Sequence, residues 1–277
     1  MELLNTLYNL MGLVFVLGTI ISMGLSLTMA QITGPLRNGR FVVMALLANF
    51  VIPPIAVLIL ARLFSLNESL TVGLLLVSLA AGAPSLPKTA VFAKVDTAAA
   101  TGLMVLLVVV TIIVLPIALP LLIAGISVTF WDIASGLVYL ILIPLAVSLF
   151  VRARWPEAAA SALPPFAQAS NLSLLILLVL MVVLNFKDVI GLFGSFGLLA
   201  SLILVLLTLA GGYLLGGPDK LLQALGAGQR NIAAAMVVAT MNFGNDEVVM
   251  VVVYSLIGMI IVIPLALEMG KRAAKKA

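Results

Sequence analysis

Apolar residues run along this chain in long blocks, separated by short segments that carry most of the charge. Blocks near the ~20 residues that cross a hydrocarbon layer about 30 Å thick predict membrane-spanning helices, because only such helices satisfy their own backbone in lipid. Nine spans are expected, at about 6–30, 41–63, 69–93, 97–124, 131–151, 166–186, 190–216, 220–242 and 247–269, with the longest loop at 152–165. The first follows Glu2 with no basic segment and no small-residue cleavage site, and it is too long for a secretory signal core. It is expected to stay attached as a span.

Composition agrees with that pattern. Hydrophobic residues make up 64% of the chain and charged residues 9%, where soluble domains carry about 25% charged residues. The fold class is therefore an all-α membrane protein, read as one transmembrane domain over 1–277. Histidine and cysteine are both absent, which removes the usual near-neutral proton relay, the thiolate nucleophile and cysteine-ligated metal. No pair of carboxylates lies inside the spans to activate water, so an intramembrane hydrolase is disfavoured and no catalytic residues and no metal site are assigned. The formal charge of +4 reflects topology and not nucleic acid. Alternate segments hold Arg37, Arg40, Lys94, Arg152, Arg154, Lys220, Lys271, Arg272, Lys275 and Lys276, and the other set holds Arg62 and Lys187. By the positive-inside rule the N-terminus is outside and the C-terminus cytoplasmic. The basic tail is a topology anchor, with membrane lipid as its natural partner.

Two cations remain, Lys88 and Arg230, each near the middle of an expected span. A cation at the bilayer centre costs about 2.5–3.5 kcal/mol even on the lenient insertion scale, so it needs a partner or a task. Both sit where a smooth helix is disfavoured. Gly82-Ala83-Pro84-Ser85-Leu86-Pro87-Lys88-Thr89 holds two prolines, and Gly226-Ala227-Gly228-Gln229-Arg230-Asn231 holds two glycines. Gly82, Pro84, Pro87, Gly226 and Gly228 are the expected breaks. Each broken span precedes a long apolar helix, and those helices carry near copies: residues 112–119 read IIVLPIAL and residues 260–267 read IIVIPLAL. With opposite directions across the membrane, this predicts an inverted repeat whose discontinuous helices meet at mid-membrane.

Met23-Gly24-Leu25-Ser26-Leu27, the segment from Gly73 to Asp96, and Gly228 through Ala235 resemble the bile acid:sodium symporter superfamily. The resemblance implies a panel domain (about 6–30 and 131–186) and a core domain (about 41–124 and 190–269) with two crossing broken helices. It also implies a nine-span form of a fold that often has ten spans in bacteria, and hence the bacterial inner membrane. In sodium-coupled members the first break reads Gly-Gly-Thr-Ala-Ser-Asn and the second Glu-Val-Gly-Met-Gln-Asn. Matched residue by residue, the implied sodium ligands fall here on Leu86, Pro87, Ala100, Met104, Gly226 and Arg230. Sodium needs several oxygen ligands, and a guanidinium in its cage repels it. No cofactor is expected and sodium is disfavoured.

The expectation that follows is a secondary transporter of a small organic anion, bile-acid-like or another carboxylate, working by alternating access without sodium. Lys88 and Arg230 would replace the missing ions, and the half-helix N-termini near Pro84 and Gly228 would add positive potential. Gln229, Asn231, Ser85, Thr89 and Asn49 complete the expected crossover. A duller reading has the two cations neutralised by backbone carbonyls at the breaks, touching no substrate. A non-transporting sensor or scaffold and an arsenite-type exporter of the same superfamily are the alternatives. Asp246 and Glu247 after Asn245, Asp96 near Lys94, and Glu268 near Lys271 are read as helix-end charges, and Trp131 and Trp155 as interfacial anchors.

Overall fold

In a computed structural model, residues 2–28, 31, 38–123, 128–184 and 195–274 are described. Arg37, Lys187, Lys275 and Lys276 lie outside them, as do the margins of the expected spans at 29–30, 124, 185–186 and 190–194. The described residues form helices and no strand: α1 (Glu2–Ser26), α2 (Gly39–Phe50), α3 (Ile52–Leu63), α4 (Glu68–Leu79), α5 (Leu86–Ala93), α6 (Thr97–Leu122), α7 (Phe130–Leu137), α8 (Ile143–Arg154), α9 (Pro156–Leu184), α10 (Gly197–Leu215), α11 (Lys220–Gly228), α12 (Ile232–Asn242) and α13 (Asn245–Ala274). Among the described residues six stretches are long and apolar enough to cross a membrane: Thr6–Ser26, Gly39–Leu63, Thr97–Leu122, Phe130–Arg154, Gly197–Leu215 and Asn245–Ala274. Several are not straight. Pro53 and Pro54 open α3 directly below α2, and a π-helical turn at Val138–Leu142 joins α7 to α8, with Pro144 at the start of α8.

The two segments expected to break do break, between α4 and α5 and between α11 and α12. The devices differ from expectation. Gly226 and Gly228 remain inside α11. A Cβ on Gly226 would lie 2.8 Å from Leu103 Cδ2, and one on Gly228 2.5 Å from Leu209 Cδ2. Those glycines serve close packing against α6 and α10, and the chain unwinds only over Gln229–Asn231. Pro87 likewise does not break a helix, because it stands in the first turn of α5, where a missing N–H is tolerated. Gly82 is a true break, with φ of +83° and a position where a Cβ would meet the α6 backbone at Met104 O and Val108 N.

A second departure is at 152–165, expected as a loop. Trp155 closes α8, and α9 then runs unbroken from Pro156, through Pro164 and Pro165, to Leu184. Proline at a helix start is favourable, and alanines at 158–160 carry the first turns. Trp131 and Trp155 are exposed, each edge-on to a neighbouring Phe, at the ends of α7 and α8. The helix-end charges cap as their positions suggest: Asp96 accepts from Ala98 N and Ala99 N at the start of α6. Glu247 accepts from Gly244 N at the start of α13. Glu268 pairs with Arg272 at 2.9 Å.

Packing sorts the helices into two groups. Helix α1 lies along α8 and α9, and α9 also packs on α8. Small residues allow this: Gly18 faces Ser170 and the Phe166 carbonyl, Gly24 faces Ser148, and Thr19 Oγ1 and Ser170 Oγ share a 2.6 Å hydrogen bond. The second group joins α2–α6 and α10–α13, with α13 packed along both α4 and α5 and α10 packed on α11. The groups meet where α12 contacts α1 and α7 and where α6 contacts α7. Gly73 on α4 is one of the closest approaches, since a Cβ there would come 2.6 Å from Met250 Cβ. Gly73→Ala is expected to lower stability by about 1–3 kcal/mol through overpacking. Gly39→Ala, which meets nothing within 4 Å, should change it by less than about 0.5 kcal/mol; a melt in detergent followed by helical circular dichroism measures both.

Candidate functional site

The site begins with a backbone problem. Asn49 is followed four residues later by Pro53, which has no N–H to donate to the Asn49 carbonyl. Helix α4 stops at Leu79, so its last carbonyls also lack intrahelical donors. Helix α11 stops at Gly228 with the same consequence near Ala227. Three helix C-termini, each with partial negative charge, thus present unpaired oxygens in apolar surroundings.

Arg230 answers all three. Its Nε donates to the Val77 carbonyl at 2.9 Å, Nη1 to Asn49 Oδ1 at 3.0 Å and to the Ala227 carbonyl at 3.4 Å, and Nη2 to the Asn49 carbonyl at 2.9 Å and to the Ser78 carbonyl. A guanidinium carries five N–H donors in a fixed fork, and five acceptors surround this one. The side chain is 6% exposed. Its neighbour extends the clamp, for Asn231 N donates to the Ala80 carbonyl at 2.8 Å across the two breaks. Asn231 Oδ1 then caps α12 by accepting from Ala234 N, which places the half-helix N-terminus at Asn231–Ile232 and not near Gly228. Asn49, fully buried, holds its own amide by donating to the Ala45 carbonyl.

Thr111 of α6 completes the first break, accepting from Ala81 N at 2.9 Å and donating to the Ala81 carbonyl at 3.1 Å. Sequence reading passed over it. A lone hydroxyl in the aliphatic run of α6, one helix after a double-proline break, was the available signal.

Lys88 is placed quite differently. It lies in the first turn of α5 on the exposed face that also carries Ser85, Val91 and Phe92. Among the described residues it has no hydrogen-bond or ion-pair partner. A cation in the first turn of a helix works against the helix dipole, so local structure gives no reason for it. Gln229, next to Arg230 in the second break, is nine-tenths buried. It accepts from Ser85 Oγ at 2.8 Å and donates to Thr89 Oγ1 at 2.7 Å, so the second break grips the start of α5. Pro84 sits half-buried in the turn before Ser85, and Pro87 half-buried beside Lys88.

Of the positions at which the resemblance puts sodium ligands, Arg230 fills its own ring of oxygens, and Leu86, Ala100 and Met104 pack with Leu103 in aliphatic surroundings. Leu86, Ala100, Leu103 and Met104 are each at most 1% exposed and belong to one apolar cluster. Leu103 Cδ2 and Leu86 Cδ2 lie 2.8 Å and 3.6 Å from where a Gly226 Cβ would be. Among the described residues no group of acidic, His or Cys side chains could hold a metal ion. An apolar pocket opens beside α12, lined by Phe15 of α1, Leu174 and Leu177 of α9, Ile232 and Met236 of α12, and Met259 of α13 among others.

Comparison with known proteins finds the model of the Sodium Bile acid symporter family matching residues 11–192, well over half of the chain, through Lys88 but not as far as Arg230. No curated protein matches. The two cations are expected to separate in a stability measurement. Arg230→Met leaves five oxygens without donors and should cost at least about 3 kcal/mol, whereas Lys88→Met should stay within about 1 kcal/mol. Chaotrope titration of the detergent-solubilised variants reads the difference.

Proposed function

We propose that this chain, which belongs to the Sodium Bile acid symporter family and is a membrane transporter of that superfamily and not an enzyme, carries an organic anion across the membrane without sodium. The observation that supports this most is the occupied oxygen cage. Carbonyls at half-helix C-termini and unwound backbone are what hold sodium in transporters built from broken helices. Here such oxygens surround Arg230. A sodium ion a few Å from a fixed guanidinium at low effective dielectric meets several kcal/mol of repulsion. The second set of expected ligand positions is filled by packed aliphatic carbon. Neither place offers an ion a set of free oxygens.

The two cations then divide the work. Arg230 is the permanent internal ion that keeps the crossing helices together. Lys88 is exposed, unpaired among the described residues and seated at a helix N-terminus, so its ammonium and the dipole together favour an anion. The substrate is a bile acid or another amphipathic carboxylate, whose apolar body suits the aliphatic and aromatic surfaces between the helix groups. In this reading the chain has nine spans, α1 with α7–α9 form the panel, and the remaining helices form the core. The N-terminus is outside and the C-terminus cytoplasmic, in a bacterial inner membrane. The contacts of α12 with α1 and α7 close the outer side, and the exposed face of α5 opens toward the cytoplasm. Rocking of core against panel exchanges the two arrangements.

Purified protein in liposomes tests the proposal. Uptake or exchange of a labelled bile acid, or of another labelled carboxylate, should run at the same rate in sodium and in potassium buffers, and Lys88→Gln should raise KM at least ~10-fold. A requirement for sodium would overturn the reading of the Arg230 cage. Unchanged KM in the Lys88 variant would overturn the reading of Lys88.

A further inference from the structure

Gln229 is the one side chain of the second break that reaches the first turn of α5. Its Oε1 accepts from Ser85 Oγ at 2.8 Å, and its Nε2 donates to Thr89 Oγ1 at 2.7 Å and to the Leu225 carbonyl at 3.3 Å. Ser85 and Thr89 are four residues apart and therefore share a helix face, and Lys88 lies three residues after Ser85 on the adjoining exposed stripe. The amide thus holds α5 at two points one turn apart, on either side of the position from which Lys88 projects.

The grip has few substitutes. Helix α5 is 8 residues long, and Ser85, although it stands at the N-cap, makes no capping hydrogen bond. Its hydroxyl is turned to Gln229 instead. Thr89 Oγ1 donates back to the Leu86 carbonyl at 2.9 Å, so its lone pair is free to receive the Gln229 amide. Isolated helices of this length are not stable on their own account, and their orientation is set by what they touch. Helix α5 packs on α6, α11 and α13, which fixes its buried side. The polar side, where Lys88 emerges, is tied down by Gln229.

We propose that Gln229 is the positioning residue for Lys88: by clasping Ser85 and Thr89 it fixes the exposed face of α5 from which Lys88 projects, and so sets where the ammonium meets an anion. This rests on the reading of Lys88 as the substrate cation. It assigns to Gln229 a task separate from that of Arg230, which holds the backbone at the breaks and contributes no donor to Ser85 or Thr89.

The experiment is uptake of a labelled bile acid by proteoliposomes, with KM and Vmax measured for the unaltered chain, Lys88→Gln, Gln229→Leu and the double variant. Ser85→Ala/Thr89→Val opens the same clasp from the α5 side and leaves the second break untouched, so it carries the test if Gln229→Leu does not fold. The expected result is a KM about 5–10-fold higher for Gln229→Leu and for Ser85→Ala/Thr89→Val, with Vmax within a factor of about two. Adding Gln229→Leu to Lys88→Gln should raise KM no further, since contacting residues that act through one group are not additive. Gln229→Glu keeps an acceptor for Ser85 but sets a negative charge beside Lys88, so its KM should exceed that of Gln229→Leu at neutral pH and fall as the carboxylate is protonated. KM effects that add in the double variant, or a loss of Vmax at unchanged KM, would overturn the positioning role while leaving Lys88 in place. No uptake by the unaltered chain, or an unaffected KM in Lys88→Gln, would instead overturn the reading of Lys88 and the proposal with it.

Discussion

The structure depends on one guanidinium held by the C-termini of three helices. Helices α2, α4 and α11 all end within reach of Arg230, for three local reasons: Pro53 leaves the Asn49 carbonyl without a donor, α4 stops ahead of the Gly82 turn, and α11 stops at Gly228. Each end alone would bury unpaired oxygen in an apolar interior, at a cost of about 1–3 kcal/mol per group. Together they make a negative pocket whose geometry suits a planar fork of five donors. Among the described residues this cation has no ion pair, and the dipoles of the helix ends neutralise it.

From that contact the remaining features follow in order. Because Arg230 fixes α11 to α4 and α2, the Asn231 N–H falls on the Ala80 carbonyl and its side chain caps α12. Because the break is pinned there, Gln229 reaches α5 and not solvent. Gly226 on Leu103 and Gly228 on Leu209 pack α11 closely against α6 and α10. Lys88 stands apart from this network, exposed and without a partner among the described residues. In the proposed mechanism the buried cation serves architecture and the accessible one serves recognition.

Much of this was legible in the residues and some was not. The class of protein and the location of both breaks could be read from apolar block lengths and from the Gly and Pro clusters, because lipid imposes those rules on sequence directly. The unequal fates of Lys88 and Arg230 could not, since both sit mid-span in the sequence and only the facing of α5 separates them. The duller expectation, neutralisation by carbonyls at the breaks, describes the contacts of Arg230 well. Glycine misled for a physical reason: two glycines in α11 look like an unwinding signal, but a residue without Cβ equally serves helix contact, and that use prevails here. The loop expected at 152–165 failed because the prolines at 164–165 do not stop a helix as long as α9. Thr111 stood out as a hydroxyl in aliphatic text, but its partner did not, because its hydrogen bonds join positions 30 residues apart.

The central claim is that the chain carries its own cation where an ion would otherwise bind. Thermal unfolding of the purified protein in sodium against choline, at equal ionic strength, tests this without any need for the substrate. An ion bound to the folded state raises stability by RT ln(1 + [L]/Kd), about 2.7 kcal/mol at a hundredfold excess over Kd. Superimposable melts in the two salts across the millimolar range are expected. A midpoint that climbs with sodium and not with choline would contradict it.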